Sequence, residues 1–164
     1  MIFGMTPLTF VHVVISLLGI GSGFVVVYGL IASKRLDAWT AVFLATTVAT
    51  SVTGFFFPFE RFLPSHALGI ISLFVLTAAI VARYPRHLAG AWRRVYAGSA
   101  VAALYLNVFV LIVQLFQKVP ALHALAPTQS DPPFQVTQLV ALVAFVALGI
   151  AAAVRFRGEA VRAA

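Results

Sequence analysis

A chain of 164 residues that is 62% hydrophobic and only 9% charged cannot clothe a water-facing surface, whereas a lipid surround asks for few charges. Its formal charge of +7 does not indicate nucleic acid, because the cations stand in ones and twos beside apolar runs with no basic stripe interleaved with aromatics. The absence of cysteine excludes disulfides, iron–sulfur clusters, thiolate zinc sites and covalently attached c-type haem.

Five separated apolar runs, each near the ~20 residues a bilayer core requires, predict an all-α, polytopic integral membrane bundle forming a single domain over residues 1–164. The first run, Leu8–Ala32, is too long for a signal-peptide core, follows no basic leader and lacks a small-x-small cleavage site, so it is expected to remain as a helix. Within it His12, Ser16, Gly19 and Gly23 follow offsets of four, seven and eleven and share one face. The Gly19-x-x-x-Gly23 pair on that face lets a second backbone or a flat ligand come close, helix packing being the plainer use.

The second run, Trp39–Phe59, carries a seam of Thr46, Thr50, Ser51 and Gly54, read as packing glue because such hydroxyls bond back to their own helix. Phe55, Phe56, Phe57, Phe59 and Phe62 around Pro58 and Pro64 predict a tight hairpin into the third run, His66–Tyr84. Ser65 is its candidate cap, and Gly69 and Leu73 continue the face of His66. The fourth run, Val95–Phe116, puts Asn107 and Gln114 on one face, and the fifth, Phe134–Val154, contributes Gln138 one turn from its start. Between these two, Gln117–Pro133 with Leu122, His123 and Leu125 predicts a short amphipathic cover lying in the interface.

Nine of the eleven Lys and Arg residues fall on one side of this alternation: Lys34, Arg35, Arg83, Arg86, Arg93, Arg94, Arg155, Arg157 and Arg162, against Arg61 and Lys118 on the other. The positive-inside rule then places the N-terminus outside and the C-terminus in the cytoplasm, as expected for a bacterial inner membrane. Tyr28, Trp39, Tyr84, Trp92 and Tyr96 all fall at the cytoplasmic ends, where amphipathic rings favour the headgroup layer. Arg83, Arg86, Arg93 and Arg94 suit anionic headgroups, although topology alone accounts for them.

No Asp, Glu, Lys or Arg lies at mid-bilayer depth in any span, where a charge costs several kcal/mol and marks an ion or proton path. The polar groups that enter the spans gather instead towards the outer end. His12 lies one turn in, roughly 6 Å by helical rise, His66 lies at nearly the same level, and Gln114 and Gln138 reach it from the fourth and fifth helices. A pair of neutral imidazoles from two helices is the usual protein contribution to a b-type haem, and neutral imidazole also suits a transition metal. In that arrangement His12 and His66 are the ligands, Gly19 gives room beside a porphyrin plane, and Ser16, Gln114 or Gln138 orients a ligand ring. Arg61 meets a propionate, and Glu60 or His123 adds a metal ligand.

The architecture resembles small cytochrome b membrane proteins, which place haem-ligand histidines on facing helices. The resemblance implies one haem at most here, since His87 falls in a cytoplasmic loop and His123 in an outer loop.

Three uses follow from these residues. The first is a cofactor-binding membrane protein serving electron transfer or sensing. The second is a non-catalytic accessory or assembly subunit, with a membrane-protein partner or a second copy of the chain, favoured by the small-residue seams and scant extramembrane mass. The third is a small oligomeric transporter or channel with Asn107, Gln114 and the Thr-rich second helix lining a path. An ordinary hydrolase is disfavoured, since no Ser, His and acid can be placed at one depth with a G-x-S-x-G turn.

Overall fold

A computed structural model describes residues 6–57 and 64–157. Among the described residues all regular structure is helical: α1 (Pro7–Ile31), α2 (Asp37–Thr53) with one 3-10 turn at its end (Gly54–Phe56), α3 (Pro64–Arg83), α4 (Trp92–Lys118), the short α5 (Pro120–Leu125) and α6 (Pro132–Arg155). Five of these are long and apolar enough to cross a membrane. They coincide with the five apolar runs, every described end moving by only one to three residues when the 3-10 turn is counted with α2. The hairpin residues Pro58, Phe59, Glu60, Arg61 and Phe62, the Ser65 side chain and Arg162 lie outside the described residues.

Local chemistry sets the helix ends. α1 starts where Thr6 Oγ1 accepts from the Thr9 N–H at 3.2 Å and Pro7 occupies the first turn, a position at which its missing donor costs nothing. It stops in a Schellman arrangement: Ser33, at φ 54°, donates to Leu30 O at 3.2 Å while Lys34 donates to Gly29 O at 2.8 Å. α6 opens with Pro132 and Pro133 after Asp131, whose carboxylate accepts from the backbone and hydroxyl of Thr128.

α4 is the hub, packing against α1, α3 and α6, while α1 and α2 form the other large pairing and α2 also meets α3. Ala97, Ala100 and Ala103 of α4, Ala79 and Ala82 of α3 and Ala152 of α6 have no exposed surface, and such small residues let backbones approach closely. Phe43, Leu76, Tyr96 and Leu104 fill the space around them. Tyr28, Trp39 and Tyr84 are exposed at the end expected for a headgroup layer, but Tyr96 is not. Its ring is buried against Phe156, 6.0 Å between centroids, because it sits on the face of α4 turned to the core.

α5 rests on the C-terminal end of α4, with Leu122 against the cluster of Phe116, Ala126 and Phe134. The short cover predicted in Gln117–Pro133 therefore closes the α4 and α6 end of the bundle, and His123 points outward.

Candidate functional site

The end of the bundle where α1 starts and α2 finishes is organised by the last turn of α2. His12, in the second turn of α1, faces it: His12 Nδ1 lies 2.8 Å from Thr53 Oγ1, and its ring meets Phe57 edge-on at 5.1 Å. Thr53 Oγ1 is also 2.8 Å from Ala49 O and 3.2 Å from Thr50 O, to which its one hydrogen is directed. Counting bonds assigns the tautomer. With the hydroxyl donating to the helix carbonyl and Nδ1–H donating to the hydroxyl, two bonds form. With the hydroxyl donating to Nδ1 instead, one bond forms and an Nε2–H is left over. This count favours His12 with its proton on Nδ1 and the lone pair on Nε2 of a half-buried ring.

His66 approaches the same turn from α3. It is 5% exposed and its ring lies 5.7 Å from that of Phe55, tilted by 41°. Phe55 also fills the space beside Gly69, where an added Cβ would come within 3.0 Å of its ring. The two imidazoles therefore share one end of the bundle, as their depth in the sequence predicts. Their aromatic contacts run to different rings, Phe57 for His12 and Phe55 for His66, placed on alternate residues of the turn.

The remaining candidates separate. Ser16 does not touch the His12 ring; its Oγ donates to His12 O at 2.6 Å and to Thr50 Oγ1 at 3.4 Å, joining α1 to α2 one turn deeper. Gly19 sits where an added Cβ would be 3.2 Å from the hydroxyls of Thr46 and Thr47 and 3.6 Å from Asn107 Nδ2. Asn107 in turn donates to Thr47 Oγ1 at 3.3 Å, so Gly19 makes room for a polar knot joining α2 and α4. At Gly23 a Cβ would come within 2.6 Å of Leu104 and 2.9 Å of Phe43. The room expected along this stripe for a porphyrin plane is taken up by the chain's own side chains, and haem does not fit there. Gln114 is exposed. Gln138 belongs to the seam of α4 and α6: its Nε2 donates to Phe109 O at 3.2 Å, and its buried Oε1 has no hydrogen-bond partner.

Among the described residues no group of three or more His, Cys, Asp or Glu could hold an ion. An ion here would take the lone pair of His12 Nε2, with Thr53 supplying the hydrogen bond that orients a ligand imidazole. The sequence marks Phe55 and Phe57 only as hairpin residues and gives Thr53 no role at this site. Thr53 falls near the C-terminal end of its run and His12 near the start of its own, and the common level this gives antiparallel neighbours was the only signal pointing to it.

A second constellation, at the opposite end, also went unnoticed in the sequence. Arg83 closes α3 with its side chain only 4% exposed and donates to Asp37 Oδ1 at the start of α2. Its guanidinium stands 5.2 Å from the centre of the Tyr96 ring and 5.8 Å from that of Tyr84, within the range of cation–π attraction. Tyr96 Oη pairs with Thr40 Oγ1 at 3.3 Å, and Arg35 Nε is 3.6 Å from the same Asp37 oxygen. Arg83 is thus withdrawn from any headgroup by its own bundle.

Two hollows stand out, and neither is lined by His12 or His66. One is the narrow crevice over Arg83 and Tyr96. The other is an apolar groove of about 220 Å³ between α4 and α6, bordered by Gly98, Ala102, Tyr105, Phe145 and Gly149. No known protein family, no curated protein and no solved structure matches this chain.

Proposed function

We propose that this chain is an integral membrane protein of the bacterial inner membrane, crossing five times with its N-terminus outside, and that it serves as a non-catalytic accessory or assembly subunit. The observation that carries this reading is where the polar side chains go. His12 with Thr53, Ser16 with Thr50, Asn107 with Thr47, Ser51 with Ser72 at 3.0 Å and Thr40 with Tyr96 all join one helix to another. Groups that a catalyst or carrier would aim at a ligand are used to hold the bundle together, an arrangement in keeping with a scaffold. The outward faces supply the rest: Leu17, Leu18 and Phe24 on α1 and Leu139, Val143, Val146 and Ile150 on α6 are exposed and apolar, suited to lipid or to a partner's helix. Native nanodiscs cut directly from membranes, with the particle mass measured, test this. A complex of fixed stoichiometry is expected, and a monomer with lipid alone contradicts it.

The Nε2 lone pair of His12 favours a second reading, a metal ligand at the outer end. Metal analysis of protein purified without chelator, beside a His12→Ala variant, separates the two. Bound transition metal that disappears in the variant would replace the scaffold reading with this one.

A further inference from the structure

The geometry points to a binding site for the phosphate of an anionic phospholipid at the mouth of the inner-end crevice, held by Lys34 and Arg35. The crevice is lined by Lys34, Arg35, Thr40, Arg83 and Tyr96, with Leu30 and Leu36 among its apolar walls. Three cations and one carboxylate, Asp37, meet there, leaving a net charge of 3 − 1 = +2. Buried Arg83 takes up much of the Asp37 charge and Arg35 Nε lies 3.6 Å from the same oxygen, which leaves the exposed Lys34, with Arg35 beside it, to face an anion. The crevice is closed, and its apolar residues Val26, Leu30 and Phe156 are buried, so the phosphate sits outside it, at its mouth.

Position and rigidity set this pair apart from the other inner-end cations. Lys34 and Arg35 follow the Schellman turn of α1, and the Arg157 N–H donates to Ser33 Oγ at 3.1 Å, tying their loop to the end of α6. Leu36 packs over Gly29, where an added Cβ would meet Leu36 Cδ1 at 2.8 Å. Less ordering is then left for the ligand to bring about. Exposed Tyr28 and Trp39 lie within a few residues of Lys34 and Arg35, and exposed Tyr84 directly follows Arg83; such rings mark headgroup depth. By contrast Arg86 lies over Trp92 at 5.0 Å and Arg93 donates to Arg157 O at 3.3 Å.

This inference rests on membrane insertion but not on orientation. The test is occupancy of dioleoyl phosphatidylglycerol, read by native mass spectrometry of the full chain released from mixed micelles, with dioleoyl phosphatidylcholine as the neutral control. The double variant Lys34→Ala/Arg35→Ala is expected to lose roughly thirtyfold in phosphatidylglycerol affinity, the scale of two cation contacts with an anionic headgroup. Arg86→Ala/Arg94→Ala, which removes the same charge from the same end, is expected to leave it within about twofold, because neither cation lines the crevice. Equal losses in the two variants, or none in the first, overturn the site. Inorganic phosphate at the same concentration is expected not to displace the lipid; full displacement overturns the lipid assignment in favour of a soluble phosphate. A chain that enters phosphatidylcholine bilayers yet shows no preference for phosphatidylglycerol refutes this site and leaves the membrane reading intact.

Discussion

Arg83 and Asp37 form an asymmetric pair: the guanidinium is 4% exposed and the carboxylate 67%. The asymmetry decides which substitution matters. Removing Asp37 leaves a cation buried without its carboxylate, whereas removing Arg83 leaves an acid in open solvent. Asp37→Asn is expected to lower the apparent melting temperature in detergent by the equivalent of about 1–3 kcal/mol. Arg83→Met, with a similar apolar stem, should cost less than Asp37→Asn. Thermal unfolding of both variants checks the order, and the reverse order contradicts burial of the guanidinium.

His12 and Thr53 give a prediction with a spectroscopic readout. Nitrogen-15 NMR of selectively labelled protein should show His12 protonated at Nδ1 and bare at Nε2. Thr53→Val removes the acceptor and is expected to cost about 1 kcal/mol and to release the tautomer, while Thr53→Ser retains both.

Gly23 and Gly21 lie on opposite sides of α1. A methyl at Gly23 meets Leu104 and Phe43 at under 3.0 Å, whereas at Gly21 nothing lies within 4 Å. Gly23→Ala is expected to destabilise by about 1–3 kcal/mol through overpacking. Gly21→Ala should be neutral or stabilising by up to about 1 kcal/mol. Melting temperatures of the two variants decide it.

Gln138 buries an amide oxygen with no partner. Removing both a buried polar group and its weak pairing is close to neutral when an apolar side chain of similar size replaces it. Gln138→Leu is therefore expected to hold or raise stability. A loss above about 2 kcal/mol would mean that Oε1 holds a bound water or ligand.

The five long helices were legible in the sequence because apolar runs of bilayer length leave little choice of element. Thr6, Pro7 and the prolines opening α6 even mark the boundaries to within a residue or two. The contacts of His12 were not legible, and neither was the Arg83 and Asp37 pair. Runs that are apolar on every side carry no strong periodicity to fix their rotation, so depth could be read but neighbours could not. Ser16 shows the difference: it follows His12 one turn along the same face, while its hydroxyl turns to the backbone and to Thr50. Gly19 and Gly23 were visible as a close-approach stripe, but only the positions of Thr46, Thr47, Leu104 and Phe43 show that side chains, with no space for a flat ligand, fill it.

Every depth assigned to a side chain rests on an odd number of membrane crossings. The sequence has no cysteine, so single introduced thiols report without background. The account predicts that Thr6→Cys reacts with a membrane-impermeant maleimide in intact cells and that Arg157→Cys reacts only after permeabilisation. Labelling of both under the same condition would put the two termini on one side and contradict it.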